Sequence, residues 1–285
     1  MPEPLDVRRL LREHNLRPKK SLGQNWLVSE SALARITAAA QLSRQDTVLE
    51  VGPGLGSLTR HLAESAGRVL AVELDAALVP LLRLSVADYA NVTIVQDDIL
   101  RCDLHALLAV VPPVETPAGS SYKVVANLPY YITSAFIRHV LEAEVRPGLI
   151  VLTVQQEVAQ RIVAGPGAMS LLAVSVQFYG RPSIVARLKA SSFYPAPQVD
   201  SAIVRIEPYE RPAVDVAERG QFFAVVKAGF SQKRKQLHNA LAAGLARSQA
   251  EVAAALERAG VDGRRRADTL TLVEWAAVAR ALTRG

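Results

Sequence analysis

The chain has 285 residues, 50% of them hydrophobic and 21% charged, enough for one large core and a smaller one. No apolar run approaches the ~18 residues that span a bilayer, and the start, MPEPLDVRRLLREHNL, lacks the apolar centre of a secretion signal. One cysteine, Cys102, excludes an internal disulfide and argues against a thiolate metal cluster, and the cytoplasm is the expected compartment. The net charge of +6 is concentrated at Arg8–Lys20, Lys233–Lys235 and Arg264–Arg266, which points to a polyanionic partner, nucleic acid above all.

Residues 5–16 show a weak helical pattern, and Ser29 or Ser31 caps a predicted helix to about Ala40. Thr47–Val51 reads as a buried strand and runs straight into Gly52-Pro53-Gly54-Leu55-Gly56, after which Leu58 and Leu62 take up helical spacing. Strand, glycine turn and helix let a ligand approach backbone amides closely. A second strand, 68–74, ends in Glu73, placed to take ribose hydroxyls. Strands at 91–95, 122–126 and 149–154 follow, with helices at about 76–87 and 134–144. Strands alternating with helices predict a doubly wound parallel sheet, Rossmann-like, with the ligand at the strand C-termini. A helix over 171–179 and two alternating segments, 183–189 and 199–206, come next, the latter pairing as a hairpin at the sheet edge. Beyond Pro208 only helical patterns remain, so the expected division is 1–207, the sheet domain with a basic N-terminal segment, and 208–285, a smaller all-helical domain.

The glycine spacing is G-x-G-x-G. A dinucleotide fingerprint would need glycine at Ser57, which disfavours a hydride-transfer enzyme but leaves a purely structural turn open. The Asn127-Leu128-Pro129-Tyr130 turn after the fourth strand narrows the chemistry. An exocyclic amine on a flat heterocycle is a poor nucleophile because its lone pair is delocalised into the ring. Accepting its hydrogens on the Asn127 side-chain oxygen and a nearby carbonyl makes the nitrogen more tetrahedral. Tyr130 can stack on the ring and hold it in line.

Together with the glycine turn, this turn resembles the adenine-N6 methyltransferases that use S-adenosylmethionine. The successive stretches GQNWL (23–27), EVGPGLGSLT (50–59), VELD (72–75), QDDIL (96–100), NLPYYITS (127–134), SSFYPAPQVDSAIV (191–204) and FSQKRKQLHNAL (230–241) are similar to those of the ribosomal RNA adenine N6,N6-dimethyltransferases, most of all the bacterial small-subunit type. The resemblance implies dimethylation of two adjacent adenosines in the 3′-terminal hairpin of 16S RNA, by a monomer acting on a pre-30S particle. It implies that domain 1–207 is catalytic and domain 208–285 binds RNA, and it implies no metal. It implies that Asn25, Leu27, Gly52, Gly54, Glu73, Leu74, Asp98, Ile99 and Asn127 form the S-adenosylmethionine site. The catalytic turn would be Asn127, Leu128, Pro129 and Tyr130, with Tyr130 and Phe193 sandwiching the target base. RNA contacts are expected from Lys19, Lys20, Lys233, Lys235, Arg264 and Arg265. Departures from the family pattern are Trp26 for Phe, Met169-Ser170 for Tyr-Gly, Ala135 for Pro, and a long proline-rich loop at 112–121. A large-subunit RNA methyltransferase of the macrolide-resistance type, and a non-catalytic RNA-binding factor on the same fold, are the competing readings; intact Glu73, Asp98 and Asn127 argue against the latter.

A continuous helix through 230–241 would put Phe230, Arg234, Leu237 and Leu241 on one stripe at ~100° per residue, with Lys235 and His238 on another face. Arg234 would then lie on an apolar stripe and Lys235 would meet phosphate. A helix starting after Arg234 would free all three charges.

Overall fold

The protein is described here from a computed structural model of residues 2–110 and 122–283; the proline-rich loop at 112–121 lies outside the described residues. The first elements are α1 (Val7–Glu13), β1 (Trp26–Leu27), α2 (Glu30–Ala40), β2 (Thr47–Val51), α3 (Ser57–Ser65), β3 (Arg68–Glu73) and α4 (Val79–Ser85). Next come β4 (Val92–Gln96), α5 (Leu104–Ala109), β5 (Lys123–Asn127), α6 (Thr133–Glu142), β6 (Leu149–Gln155), α7 (Gln156–Ile162) and α8 (Leu171–Tyr179). The chain continues through β7 (Gly180–Leu188), β8 (Phe193–Tyr194), β9 (Ser201–Pro208), α9 (Arg219–Phe230), α10 (Leu237–Leu245), α11 (Gln249–Arg258) and α12 (Leu272–Thr283).

Seven strands form one sheet in the order β4-β3-β2-β5-β6-β9-β7. The pairs β2–β3, β3–β4, β2–β5 and β5–β6 are parallel, as the alternation of strands and helices predicts. β9 then joins β6 antiparallel, with Leu152 opposite Val204, so the late alternating segment extends the sheet as expected. The chain winds outward from β2 through β3 and β4, then returns to the other side of β2 as β5. That reversal opens a crevice at the C-terminal ends of β2 and β5, the place where doubly wound sheets hold ligands. Gly52 and Asn127 both stand there by sequence.

Helices cover the sheet because their apolar stripes meet its continuous runs of Val, Leu and Ile. Leu33 and Ile36 of α2 and Leu58 and Leu62 of α3 pack with Val48, Val125, Val151 and Ile203 of the strands. A separate cluster joins Val7 and Leu11 of α1 to Trp26, Leu55, Leu78 and Leu81.

The sequence reading missed the short antiparallel ribbon of β1 and β8, where Trp26 faces Tyr194 and Leu27 faces Phe193. Two residues on each side carry too little alternation to be read as strands. The predicted continuous helix over 230–241 is also corrected. α9 ends at Phe230, a turn covers 231–236, and α10 starts at Leu237, so Lys233, Arg234 and Lys235 are all exposed. The turn, and with it the exposure of Arg234, follows the second of the two sequence readings.

Contacts divide the chain into two units, Met1–Ala159 with Ser183–Pro208, and Gln160–Pro182 with Tyr209–Gly285. The sequence reading kept 160–182 with the catalytic domain. α8 is apolar nearly all round, and Phe178 stacks on Phe222 of α9 at 4.9 Å between ring centroids. Backbone bonds from Tyr209 to Tyr179 and from Ala213 to Phe178 fix the same grouping. Within this unit Ser170 caps α8 by accepting from the Ala173 N–H, which gives the Met169-Ser170 departure a local role.

Candidate active site

The crevice at the ends of β2 and β5 is a cavity within the first unit. Its lining includes Asn25, Trp26, Gly52, Gly54, Glu73, Leu74, Asp98, Ile99 and the whole Asn127–Tyr130 turn. Of the cofactor residues expected from sequence, all but Leu27 are therefore gathered round one space. Gly54 has φ +60°, and a Cβ there would meet the Trp26 indole Cδ1 at 2.5 Å, so both conformation and space demand glycine.

Glu73 ends β3 with its carboxylate buried, accepting from the Gly54 N–H at 2.9 Å and the Asp75 N–H at 2.8 Å. Burial raises its pKa, and these backbone donors offset part of the rise. Each carboxylate oxygen has two acceptor sites, so capacity for ligand hydroxyls remains. Asp98 Oδ1 accepts from the Leu100 N–H at 3.1 Å, which holds the side chain in the cavity lining and leaves Oδ2 for an amino donor. Leu74, exposed by 46%, and buried Ile99 offer apolar surface to the cavity.

Asp75, unassigned from sequence, holds the cavity's N-terminal wall. It accepts from Lys19 Nζ at 2.7 Å and Gln24 Nε2 at 2.8 Å, and Gln24 Oε1 accepts from the Lys19 N–H. Burial alone would raise the Asp75 carboxyl; the bonds from Lys19, Gln24 and the Ala77 N–H more than offset it and hold it below its ordinary range. Lys19, expected on RNA, thus has a structural partner, whereas Lys20 is exposed on the adjoining 3-10 turn.

Behind the glycine turn, Glu50 is 1% exposed and its Oε2 lacks a hydrogen-bond partner. Burial pushes its pKa up to about 8, with neighbouring Glu73 adding to the rise. Thr59 opposes this from close by, although its hydroxyl does not reach full hydrogen-bond geometry.

Asn127 closes β5 and donates from Nδ2 to the Asn25 carbonyl at 3.0 Å. The amide's orientation is set by that network, and it turns Oδ1 free to accept from a ligand amine. Tyr130 lines the cavity, and its hydroxyl shares a 2.8 Å hydrogen bond with Ser201 of β9. Burial raises the phenol, so the ring stays neutral. Tyr131, which sequence reading passed over, stands beside it at 58% exposure.

Leu27 and Phe193 are placed differently from expectation. They oppose each other on one face of the β1–β8 ribbon and are 2% and 3% exposed in the main core. Alternation along the ribbon turns Trp26 and Tyr194 to the other side. Trp26, noted in the sequence only as a departure, therefore lines the cavity, while Phe193 has no open face for a base.

In the second unit Arg264, like Lys233 and Lys235, is exposed, but Arg265 is engaged throughout. Its guanidinium pairs with Glu274, and its Nε and Nη2 donate to Thr269 Oγ1 at 3.1 Å and Thr269 O at 2.7 Å. Arg265 holds the Glu274 carboxyl down to about 2. It clamps the start of α12 with four of its five N–H donors, which leaves no two-donor edge for phosphate. Arg265→Ala is expected to lower the melting temperature by several degrees at neutral pH. The loss should shrink as pH falls from the ordinary 4.5 of a glutamate toward 2, because Glu274 then protonates. Lys235→Ala should leave melting unchanged and lower the salt slope of RNA binding by about one. Melting curves at both pH values and salt-dependent binding check this pair; a salt-slope change in the Arg265 variant alone would refute it.

A model of the family described as ribosomal RNA adenine dimethylase matches residues 15–278. A ribosomal RNA small subunit methyltransferase A from Dehalococcoides mccartyi (strain ATCC BAA-2266 / KCTC 15142 / 195) is 46% identical over 94% of this chain and 90% of its own. A protein of the same name from Alkaliphilus metalliredigens is 38% identical over 97% and 96% of the two chains. Among solved structures, the 23S rRNA methyltransferase ErmE superposes with a TM-score of 0.68 at 28% identity, covering 91% of this chain and all of its own. A dimethyladenosine transferase from Plasmodium falciparum, at 23% identity and a TM-score of 0.70 over 88% and 94% of the two chains, shares the fold. The fold and family imply S-adenosylmethionine as cofactor. The chain belongs to the ribosomal RNA adenine dimethylase family.

Proposed function

We propose that this protein transfers methyl groups from S-adenosylmethionine to N6 of two adjacent adenosines in the 3′-terminal hairpin of 16S ribosomal RNA, as a cytoplasmic monomer acting on a pre-30S particle. The observation that carries the reading is that one cavity holds both a nucleoside-type half (Glu73, Asp98, Leu74, Ile99) and the amine-accepting Asn127–Tyr130 turn. The residues suit the cofactor: Glu73 would take its ribose hydroxyls, Asp98 its adenine amine, and Gly52 and Asn25 would flank its methionine portion. Once bound, S-adenosylmethionine supplies an electrophilic methyl group. Asn127 Oδ1 and a neighbouring backbone carbonyl accept the two N6 hydrogens of the target, which directs the nitrogen lone pair toward that methyl. The N6–carbon bond would form as the methyl–sulfur bond breaks and the sulfur leaves as a neutral thioether, and the alkylated amine would give up one N6 proton readily to solvent. Tyr130 stacks on the base. Phe193, expected on the second face, is buried in the main core opposite Leu27.

Extruding a base from a hairpin costs unstacking energy that pocket contacts must offset, and exposed Lys20, Lys233, Lys235 and Arg264 would supply the phosphate contacts. Curated relatives named for the small subunit, at 37–46% identity, favour that target over the large subunit. Incubation with labelled cofactor and small subunits from a strain lacking the modification is the test, with large subunits as control. Label is expected in small-subunit RNA only; label in large-subunit RNA alone would overturn the target, and none at all would sink the enzymatic reading.

A further inference from the structure

We propose that the indole N–H of Trp26 is a hydrogen-bond donor to bound S-adenosylmethionine, directed at an oxygen on the ribose side. This rests on the reading of the cavity as the cofactor site. Trp26 is 7% exposed and lines that cavity, and its Nε1 has no hydrogen-bond partner among the described residues. A buried Trp N–H ordinarily finds an acceptor, and the group is a donor only. Trp275 also carries an unpaired N–H, but it is sealed at 0% exposure in the second unit. Trp26 differs in facing an open space built for a ligand.

The ring is held in place. Val7, Leu11, Leu55, Leu78 and Leu81 pack around it, and the edge carrying Nε1 lies over Gly54, nearer than any Cβ could tolerate. Gly54 in turn donates its N–H to Glu73 Oε2 at 2.9 Å. The unused donor therefore sits beside the carboxylate that would accept from ribose hydroxyls. An oxygen held there can donate to Glu73 and accept from Trp26 at once. A hydroxyl has that dual character and a carboxylate does not.

Calorimetry with S-adenosylmethionine and with 5′-methylthioadenosine, which keeps the ribose but lacks the amino-carboxylate, separates the possibilities. Trp26→Phe is expected to weaken both ligands by about three- to tenfold, as for one hydrogen bond. Loss confined to S-adenosylmethionine would move the acceptor to the methionine carboxylate and overturn the ribose assignment. Unchanged binding of both would overturn the donor role. Failure of the wild-type protein to bind either ligand would instead overturn the cofactor site itself. Because Phe also removes ring volume, a second measurement is needed. In the Trp275→Phe variant Trp26 is the sole tryptophan, so the indole N–H band of its ultraviolet resonance Raman spectrum should shift on adding cofactor. An unshifted band at saturation would refute the proposal.

Discussion

Asn127→Ala is expected to lower single-turnover methyl transfer by at least 10²–10³, the range found when one pre-positioned polar group is removed from a reacting centre. Two losses combine in that variant. The acceptor proposed for the N6 hydrogens goes, and so does the 3.0 Å bond from Nδ2 to the Asn25 carbonyl that holds the amide. RNA affinity should stay nearly unchanged, since it rests on charge and stacking away from this side chain. Transfer from labelled cofactor at saturating enzyme measures the first quantity, and filter binding the second. A variant that still dimethylates within a few-fold of wild type would show that amine activation lies elsewhere.

Glu50→Gln should stabilise the protein above pH 8 and flatten its stability profile. A glutamate of ordinary value 4.5 that is held up to about 8 when folded keeps a proton that the unfolded chain has already lost between those values. Folding then binds a proton, so the group's favourable contribution is complete below pH 4.5 and declines as pH rises to about 8. Each unit of that window is worth at most about 1.4 kcal/mol, which puts the gain for glutamine at pH 9 at a few kcal/mol and several degrees in melting temperature. Thermal melts of both proteins at pH 6 and pH 9 would settle it. Parallel profiles would mean that Glu50 is already ionised in the fold.

How far sequence carried the structure depends on the length of the pattern available. β2, five residues of β-branched and apolar character before a glycine turn, was legible to the residue. So was the place of Asn127 at the end of β5, because a polar side chain after an apolar run marks the sheet's C-terminal edge. The β1–β8 ribbon was not legible: its pairing joins positions 26–27 to 193–194, and no local periodicity announces a contact of that range. The misplacement of Leu27 and Phe193, and the neglect of Trp26, follow from that one gap, since the ribbon decides which side chain faces the cavity. Arg265 was unreadable for a related reason. Three consecutive arginines look alike in sequence, and only the approach of Glu274 separates the one that is clamped from its exposed neighbours.

The membership of α8 in the second unit bears on how the chain could be cut or recombined. Residues 209–283 form a contiguous run of helices that invites treatment as a transferable module. Phe222 and Phe223, however, find their aromatic neighbours in Phe178 and Tyr179, more than 40 positions upstream. A graft or truncation beginning at Tyr209 would sever that aromatic knot and leave a greasy, adhesive face where α8 belongs. The module that can be inherited whole is the discontinuous one, and exchange between relatives would have to carry both pieces together.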